Sequence, residues 1–222
     1  MTYKDKFRQR LAAAQPKEIL DVGCGEGALL QYCEALGISA IGVDPDQDAI
    51  AECQRKGLRA ICGGAEHLDL PDNSVDFVAS EFSLHHYASL SGFLREAIRV
   101  ARKGIFCLDA WYDLSIPSQR CASDFDRWMK RIDRAAGDVH HDVYNIDQIL
   151  DALPESDAGQ ELEAEYWLDL RPLPPEKLDR LKSISLAKSD DSGSMQDAYL
   201  EIEASIKQHG ISEDGAIFFQ LT

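Results

Sequence analysis

No run in the 222 residues approaches the roughly 18 uncharged apolar residues of a membrane span, and the opening MTYKDKFRQR lacks the apolar centre of a secretion signal. A membrane role is not expected, and a reducing cytoplasm is the expected setting. The six cysteines, Cys24, Cys33, Cys53, Cys62, Cys107 and Cys121, include no C-x-x-C pair and no zinc spacing. No metal site is expected from them, and several lie in apolar runs, like small core residues. Basic charge is scarce: 23 Lys and Arg stand against 39 Asp and Glu, a formal charge of −16. A nucleic acid would therefore meet net repulsion, so none is expected as a partner. The one basic cluster, Arg95, Arg99, Arg102 and Lys103, has the spacing of a solvated helix face and last turn. Internal repeats at periods of 20 to 50 residues and low-complexity tracts are also missing, which excludes a solenoid.

With 45% hydrophobic and 28% charged residues, the composition is that of a globular chain able to bury one sizeable core. The first half alternates two periods. Apolar runs at 18–23, 38–44, 58–62, 74–80 and 104–112 read as buried strands, and 28–36, 45–56 and 89–101 as helices between them. That alternation implies right-handed crossovers and a parallel sheet covered by helices. Beyond Tyr112 the stretch 117–152 reads as mostly helical and 162–173 as an exposed strand. Two helices are expected within 175–208, and an apolar strand at 215–222. The expected fold class is α/β, organised as a single domain over 1–222: a core at 15–112, a helical elaboration at 113–210 and a closing strand at 211–222.

ILDVGCGEG, Ile19 to Gly27, sets three glycines in five residues behind a strand ending in an aspartate. In a parallel sheet the first strand and its turn lie where strand order reverses, the usual ligand crevice. Glycines there let the backbone bend sharply and let a ligand approach. The pattern G-x-G-x-x-G/A is also met by Gly23 to Ala28, with Asp44 placed for a ribose hydroxyl, so a nicotinamide dinucleotide stays open on pattern alone. Charge argues against it. Asp21 and Glu26 flank the turn, and two like charges about 4 Å apart repel by roughly 4 kcal/mol in a partly screened site. A ligand with a cation near the turn is favoured over a pyrophosphate.

On these residues the sequence resembles the class I S-adenosylmethionine-dependent methyltransferases, in the small-molecule, type 11-like branch. ILDVGCGEG resembles their first motif and IGVDPD their second, while GGAEHLDLPDNSVDFV and SEFSLHHY resemble the segments leading into and out of strand four. The resemblance implies a Rossmann-like, seven-stranded, mostly parallel sheet with an antiparallel last strand, helices on both faces and a helical insert after strand five. It implies S-adenosylmethionine as cofactor and a small-molecule methyl acceptor as partner. Carried across by position, Asp21 would orient the methionyl ammonium, Gly23, Cys24, Gly25 and Gly27 would line the cofactor, and Asp44 would accept both ribose hydroxyls. Pro45 and Asp46 would border the adenine, and Ala65 would offer it a backbone N–H. Ser80 and Phe82 would close the cofactor side after strand four. Where relatives often have an aspartate for the adenine amino group this chain has Gly64, with Glu66 as a substitute or as a water-facing turn carboxylate.

Methyl transfer is an in-line displacement that alignment and water exclusion can largely catalyse. A hydroxyl or acidic-carbon acceptor would also need a base, and His85 and His86, after the fourth strand, stand at the expected rim. His140 and His141 lie in the insert. Adjacent histidines point apart, so the two pairs suggest no metal. Phe82, Trp111, Tyr112 and Tyr144 are candidate pocket aromatics or ordinary core, and Tyr112 is the one carried with the histidines as catalytic. Two other functions remain open: an NAD(P)-dependent oxidoreductase using the same turn, and a non-catalytic S-adenosylmethionine-binding protein.

Overall fold

The computed structural model describes residues 1–155, 161–189 and 191–222. Seven strands form one sheet: β1 Glu18–Val22, β2 Ser39–Asp44, β3 Ala60–Cys62, β4 Val75–Glu81, β5 Ala101–Trp111, β6 Leu162–Trp167 and β7 Gly215–Leu221. Eight α-helices accompany them among the described residues: α1 Tyr3–Ala13, α2 Ala28–Ala35, α3 Gln47–Arg55, α4 Leu90–Val100, α5 Pro117–Ala135, α6 Ile146–Ala152, α7 Pro175–Lys188 and α8 Ser192–His209. The sheet order is β3-β2-β1-β4-β5-β7-β6, with β7 antiparallel in an otherwise parallel set. β1 lies between β2 and β4, its Asp21 level with Gly42 on one side and Ala79 on the other. The chain thus leaves β1 in one direction and returns on the other, and the crevice of a doubly wound sheet opens at that reversal. Among the described residues no helix is long and apolar enough to cross a membrane.

Two compact units divide the chain. The first comprises Met1–Asp109, Tyr144–Glu165 and Ile217–Thr222, and the second Ala110–Val143 and Tyr166–Ala216. In the first, edge-to-face and tilted ring contacts link Phe77, Phe106, Phe218 and Phe7 across β4, β5, β7 and α1, with centroids 5.1 to 6.3 Å apart. In the second, α5 and α8 close around Trp128, whose ring stacks on Phe125 and whose indole N–H donates to the Met195 carbonyl at 2.9 Å.

Several boundaries differ from the sequence reading. β3 shrinks to three residues, and β5 starts at Ala101 rather than at residue 104. The alternation read as a strand through 162–173 ends at Trp167, after which the Arg171 N–H turns back to the Asp169 carbonyl at 2.7 Å; one isolated bridge, Pro172 to Ser212, is left of it. The helical stretch expected over 117–152 is broken between α5 and α6. α1 was not anticipated. Thr2 and Asp5 form a capping box at its start, and Phe7 and Leu11, four residues apart, are its buried pair.

The basic cluster also differs. Arg99 donates to the carbonyls of Leu68 and Leu70 and pairs with Glu96 and Asp72. Arg102 pairs with Glu18 and Asp76, and Lys103 with Asp76. Arg99, Arg102 and Lys103 thus brace the 68–76 connection and β1 while staying partly open to water, and Arg95 is exposed as a solvated face would have it.

Candidate active site

The turn after β1 is built from three left-handed glycines. Gly23, Gly25 and Gly27 have φ of +71°, +49° and +83°, values that L side chains rarely adopt. Two of them are also packed. A Cβ on Gly23 would stand 2.5 Å from the Cβ and Oγ of Ser83, and one on Gly27 would stand 2.5 Å from Leu58 Cδ1. Around Gly25 nothing lies within 4 Å, so this glycine keeps its bare face toward open space. Beside it is a cavity of about 290 Å³ lined by Asp21, Gly23, Gly25, Lys4, Lys56 and Glu81, among others. A larger hollow of about 740 Å³ runs along α5 and α8 in the second unit, but its walls are charged helix faces without a glycine turn or buried carboxylate.

Asp21, from β1, is 2% exposed, and its Oδ1 is buried without a hydrogen-bond partner among the described residues. Burial, and after it the nearby charge of Glu81, raises its carboxyl well above the ordinary range, against a weaker pull downward from Arg8. Glu81, at the end of β4, is held from α1: Arg8 Nε and a terminal nitrogen reach its two oxygens at 2.7 and 2.8 Å, and Lys4 Nζ lies 3.0 Å away. An unsatisfied buried carboxylate oxygen is costly. At the wall of a cavity it fits a cationic ligand group.

The carboxylate of Asp44 ties the end of β2 to the turn. Its Oδ2 accepts the Gly25 N–H at 2.8 Å and its Oδ1 the Asp46 N–H at 2.9 Å. Each oxygen keeps a second lone pair for a ligand hydroxyl. Asp46 caps α3 through the Asp48 N–H, and the Pro45 carbonyl accepts from Cys62. Ala65 is buried and Gly64 exposed. Glu66 accepts the Ser89 N–H through Oε1 at the start of α4, while its Oε2 lies 3.4 Å from where a Cβ on residue 64 would be. Cys24 is buried under the turn, its thiol pushed up by burial and then by Asp21, so it is inert as a nucleophile. Glu26 is largely exposed and lies 3.6 Å from Lys56 Nζ. The repulsion expected of it is therefore weakened, and Asp21 carries the charge argument alone.

After β4 the chain reverses at Phe82, a non-glycine residue at φ +58°. Such a conformation costs of order 1–3 kcal/mol and persists where the surroundings enforce it. Here its N–H donates to the Leu108 carbonyl at 2.7 Å, and Lys4 Nζ stands 5.4 Å from its ring. The reversal drives Ser83 onto the glycine turn, where its hydroxyl donates to the Gly23 carbonyl at 3.0 Å. Ser80 is fully buried, its hydroxyl 2.8 Å from Tyr87 Oη, and that phenol donates to the Val22 carbonyl at 2.7 Å. Ser80 therefore braces the turn from beneath.

His85 lies in a short 3₁₀ turn, Leu84–His86, with Nδ1 2.7 Å from Asp109 Oδ1. His86 is exposed, with its ring centroid 4.4 Å from that of His85. The remaining candidates divide between the units. Tyr144 is half-buried in the first. Tyr112 packs against the apolar cluster of α5 and α8 in the second. The Trp111 ring lies tilted by 40° against that of Tyr166, 4.4 Å between centroids, and His140 is paired with Asp133 at 2.8 Å.

Arg8, Lys4, Glu81, Tyr87 and Asp109 were missed from sequence. The available signal was a carboxylate closing an otherwise apolar parallel strand, as Glu81 does in SVDFVASE and Asp109 in GIFCLDAW.

Comparison with known proteins fits this geometry. Residues 20–108 match the methyltransferase domain family designated type 11. Over 98 residues the chain is 36% identical to phthiotriol/phenolphthiotriol dimycocerosates methyltransferase 1 of Mycobacterium ulcerans, covering 41% of this chain and 36% of that one. Over 88 residues it is 34% identical to malonyl-[acyl-carrier protein] O-methyltransferase of Yersinia pestis, covering 39% and 33%. The match thus spans about a third of the length of these relatives. The fold extends further: the crystal structure of the YcgJ protein of Bacillus subtilis superposes with a TM-score of 0.66 over 99% of this chain and 98% of its own, at 17% identity. Residues 20–108 are thus similar to a methyltransferase domain of the type 11 family.

Proposed function

We propose that this chain transfers a methyl group from S-adenosylmethionine to a small-molecule acceptor in the cytoplasm. The observation that carries the reading is Asp21: a buried carboxylate with one unpartnered oxygen, at the wall of a cavity beside three left-handed glycines. A methionyl ammonium would satisfy that oxygen and return the carboxyl to its charged form. An ionised pyrophosphate has no N–H or O–H to donate to that oxygen.

The remaining residues fit the same ligand. Asp44 has a lone pair on each oxygen for the two ribose hydroxyls, a charged acceptor pair worth about 1.5–3 kcal/mol. Gly23, Cys24, Gly25 and Gly27 would border the ligand with backbone, and Pro45, Asp46 and Ala65 would flank the adenine. Glu66 Oε2 stands beside residue 64, where relatives often place an aspartate, and would take the adenine amino group. Phe82 and Lys4 would close the methionyl end, while Ser80 acts through Tyr87. S-adenosylmethionine supplies an electrophilic methyl group on a sulfonium that becomes neutral as the methyl departs. The protein's contribution is alignment and exclusion of water, which need no oxyanion hole.

The relatives are named for a phthiotriol dimycocerosate and a malonyl-acyl carrier protein as substrates. A small or carrier-linked metabolite fits a surface of net charge −16 better than an anionic polymer does. Calorimetric titration of the full chain with S-adenosylmethionine and separately with NADH tests the reading. Binding of S-adenosylmethionine without NADH is expected, and the reverse would replace it with a nicotinamide enzyme. Binding without passage of labelled methyl to any component of a cell metabolite extract would leave a non-catalytic binding protein.

A further inference from the structure

His85 and Asp109 form a buried pair at the carboxyl ends of adjacent strands β4 and β5, within the first compact unit. Asp109 is 1% exposed, and the His85 side chain 12%. Both oxygens of the carboxylate reach the same residue: Oδ1 lies 2.7 Å from His85 Nδ1, and Oδ2 accepts the His85 backbone N–H at 3.2 Å. A carboxylate can only accept, so the ring nitrogen facing it is the protonated one, and in the neutral ring the lone pair falls on Nε2.

The turn that carries His85 is fastened at both ends to the cofactor strand. Ser83, two residues before it, donates to the Gly23 carbonyl, and Tyr87, two residues after it, donates to the Val22 carbonyl. The imidazole is thus located relative to the glycine turn by two short bonds, and its tautomer is set by a third. Tyr144 feels the same carboxylate: burial and then the charge of Asp109 raise its phenol above the usual range, which keeps it a hydrogen-bond donor.

A histidine with a fixed tautomer and a buried carboxylate behind it is suited to taking a proton, since the carboxylate stabilises the imidazolium that results. Alkylation of a thiolate, a carboxylate or a free amine lone pair needs no such group at the moment of attack. Alkylation of a hydroxyl or an acidic carbon does. We propose that His85 accepts the proton of the methyl acceptor, that Asp109 is the residue positioning it, and that the acceptor atom is a hydroxyl oxygen or an acidic carbon. The acceptor's O–H or C–H proton passes to Nε2 while the electron pair it leaves forms the bond to the methyl carbon. The departing sulfur keeps the pair of the broken C–S bond, so the positive charge ends on the imidazolium. This inference rests on the methyltransferase reading above.

The test uses the full chain labelled with ¹⁵N-histidine and saturated with S-adenosylhomocysteine. Long-range proton–nitrogen spectra are expected to show the neutral His85 ring protonated on Nδ1, and Asp109→Asn is expected to abolish that single tautomer. In parallel, passage of labelled methyl from S-adenosylmethionine into a cell metabolite extract is measured for the wild type, Asp109→Asn and His85→Gln. Both variants are expected to bind S-adenosylmethionine within about threefold of wild type and to transfer label at least about 100-fold more slowly. His85→Gln alters the less buried partner, and so covers the case in which Asp109→Asn fails to fold.

A ring protonated on Nε2, or label transfer within threefold of wild type in either folded variant, overturns the proposal. So do products methylated on nitrogen, sulfur or carboxylate. A wild-type chain that binds the cofactor with the expected tautomer yet labels nothing overturns it as well, since the pair then has no proton to take. Failure of S-adenosylmethionine to bind at all sinks the methyltransferase reading itself, a different result from any of these.

Discussion

Arg8 and Glu81 meet through two parallel contacts, Nε to Oε2 at 2.7 Å and a terminal nitrogen to Oε1 at 2.8 Å, with Glu81 only 6% exposed and Arg8 16%. A helix at the start of the chain thereby neutralises a carboxylate beside Asp21. Removing the guanidinium leaves a buried charge with only Lys4 in support. Arg8→Ala is expected to lower unfolding stability in urea by about 3 kcal/mol, and adding Glu81→Leu should recover most of the loss. A single-variant loss below about 0.5 kcal/mol would mean that the pair is mere surface decoration.

The glycines of the first turn should not respond alike to alanine. At residue 23 the new Cβ meets Ser83 at 2.5 Å and Tyr87 Oη at 3.1 Å, and both neighbours are held by hydrogen bonds to the same strand. Left-handed strain of about 1–2 kcal/mol and overpacking of about 1–3 kcal/mol then add. At residue 25 nothing lies within 4 Å, so only the strain applies, but the methyl projects toward the cavity. Gly23→Ala is expected to unfold at lower temperature than Gly25→Ala, while Gly25→Ala keeps most of its stability and loses cofactor affinity. Equal melting temperatures would contradict the packing difference.

What could be read from sequence was local. ILDVGCGEG carries its own turn in three glycines, and the acidic end of IGVD falls at a strand terminus, so turn and strand ends were legible without a partner. His85 stood out for the same reason. Asp109 and Glu81 did not, because their roles depend on which strands are neighbours: Glu81 is level with Leu108 only once β4 and β5 pair. Arg99 and Arg102 looked like a solvated helix face because, Glu96 apart, the carbonyls and carboxylates they reach lie 26 to 84 positions away. α1 was hidden by having just Phe7 and Leu11 to bury. The strand read too far, to 173, fails at a local turn, Arg171 N–H to the Asp169 carbonyl, that an alternating pattern does not reveal.

Asp44 has two duties that substitution can separate. It holds the Gly25 and Asp46 N–H groups, and under the proposed function it would accept the ribose hydroxyls. Asp44→Ala removes both and should weaken S-adenosylmethionine binding by at least about tenfold, the equivalent of about 1.4 kcal/mol. Asp44→Asn keeps one carbonyl oxygen for the turn but replaces the other acceptor with a donor. It is expected to melt closer to wild type than the alanine variant does and still to bind more weakly than wild type. Wild-type dissociation constants for both variants, measured by calorimetry, would remove Asp44 from the ribose assignment.

Asp21 gives the pH dependence its sign. Burial raises the carboxyl above the ordinary value of about 3.9, so the folded chain without ligand holds a proton that the unfolded chain has released. Between the ordinary value and the raised one the folded state binds more protons, and this group's contribution to stability falls as pH rises, then levels off above the raised value. A cationic ligand favours the ionised form and expels the proton on binding. S-adenosylmethionine affinity is therefore expected to strengthen as pH rises from the ordinary carboxyl value toward the raised one, with proton release visible as a binding enthalpy that changes with the buffer's own ionisation enthalpy. Asp21→Asn removes both effects. Its ligand-free form should be more stable than wild type at pH above the raised value, and its weakened affinity should lose the Asp21 part of the pH dependence. A variant that is less stable without ligand, and whose affinity follows pH as the wild type's does, would show that Asp21 carries no buried charge.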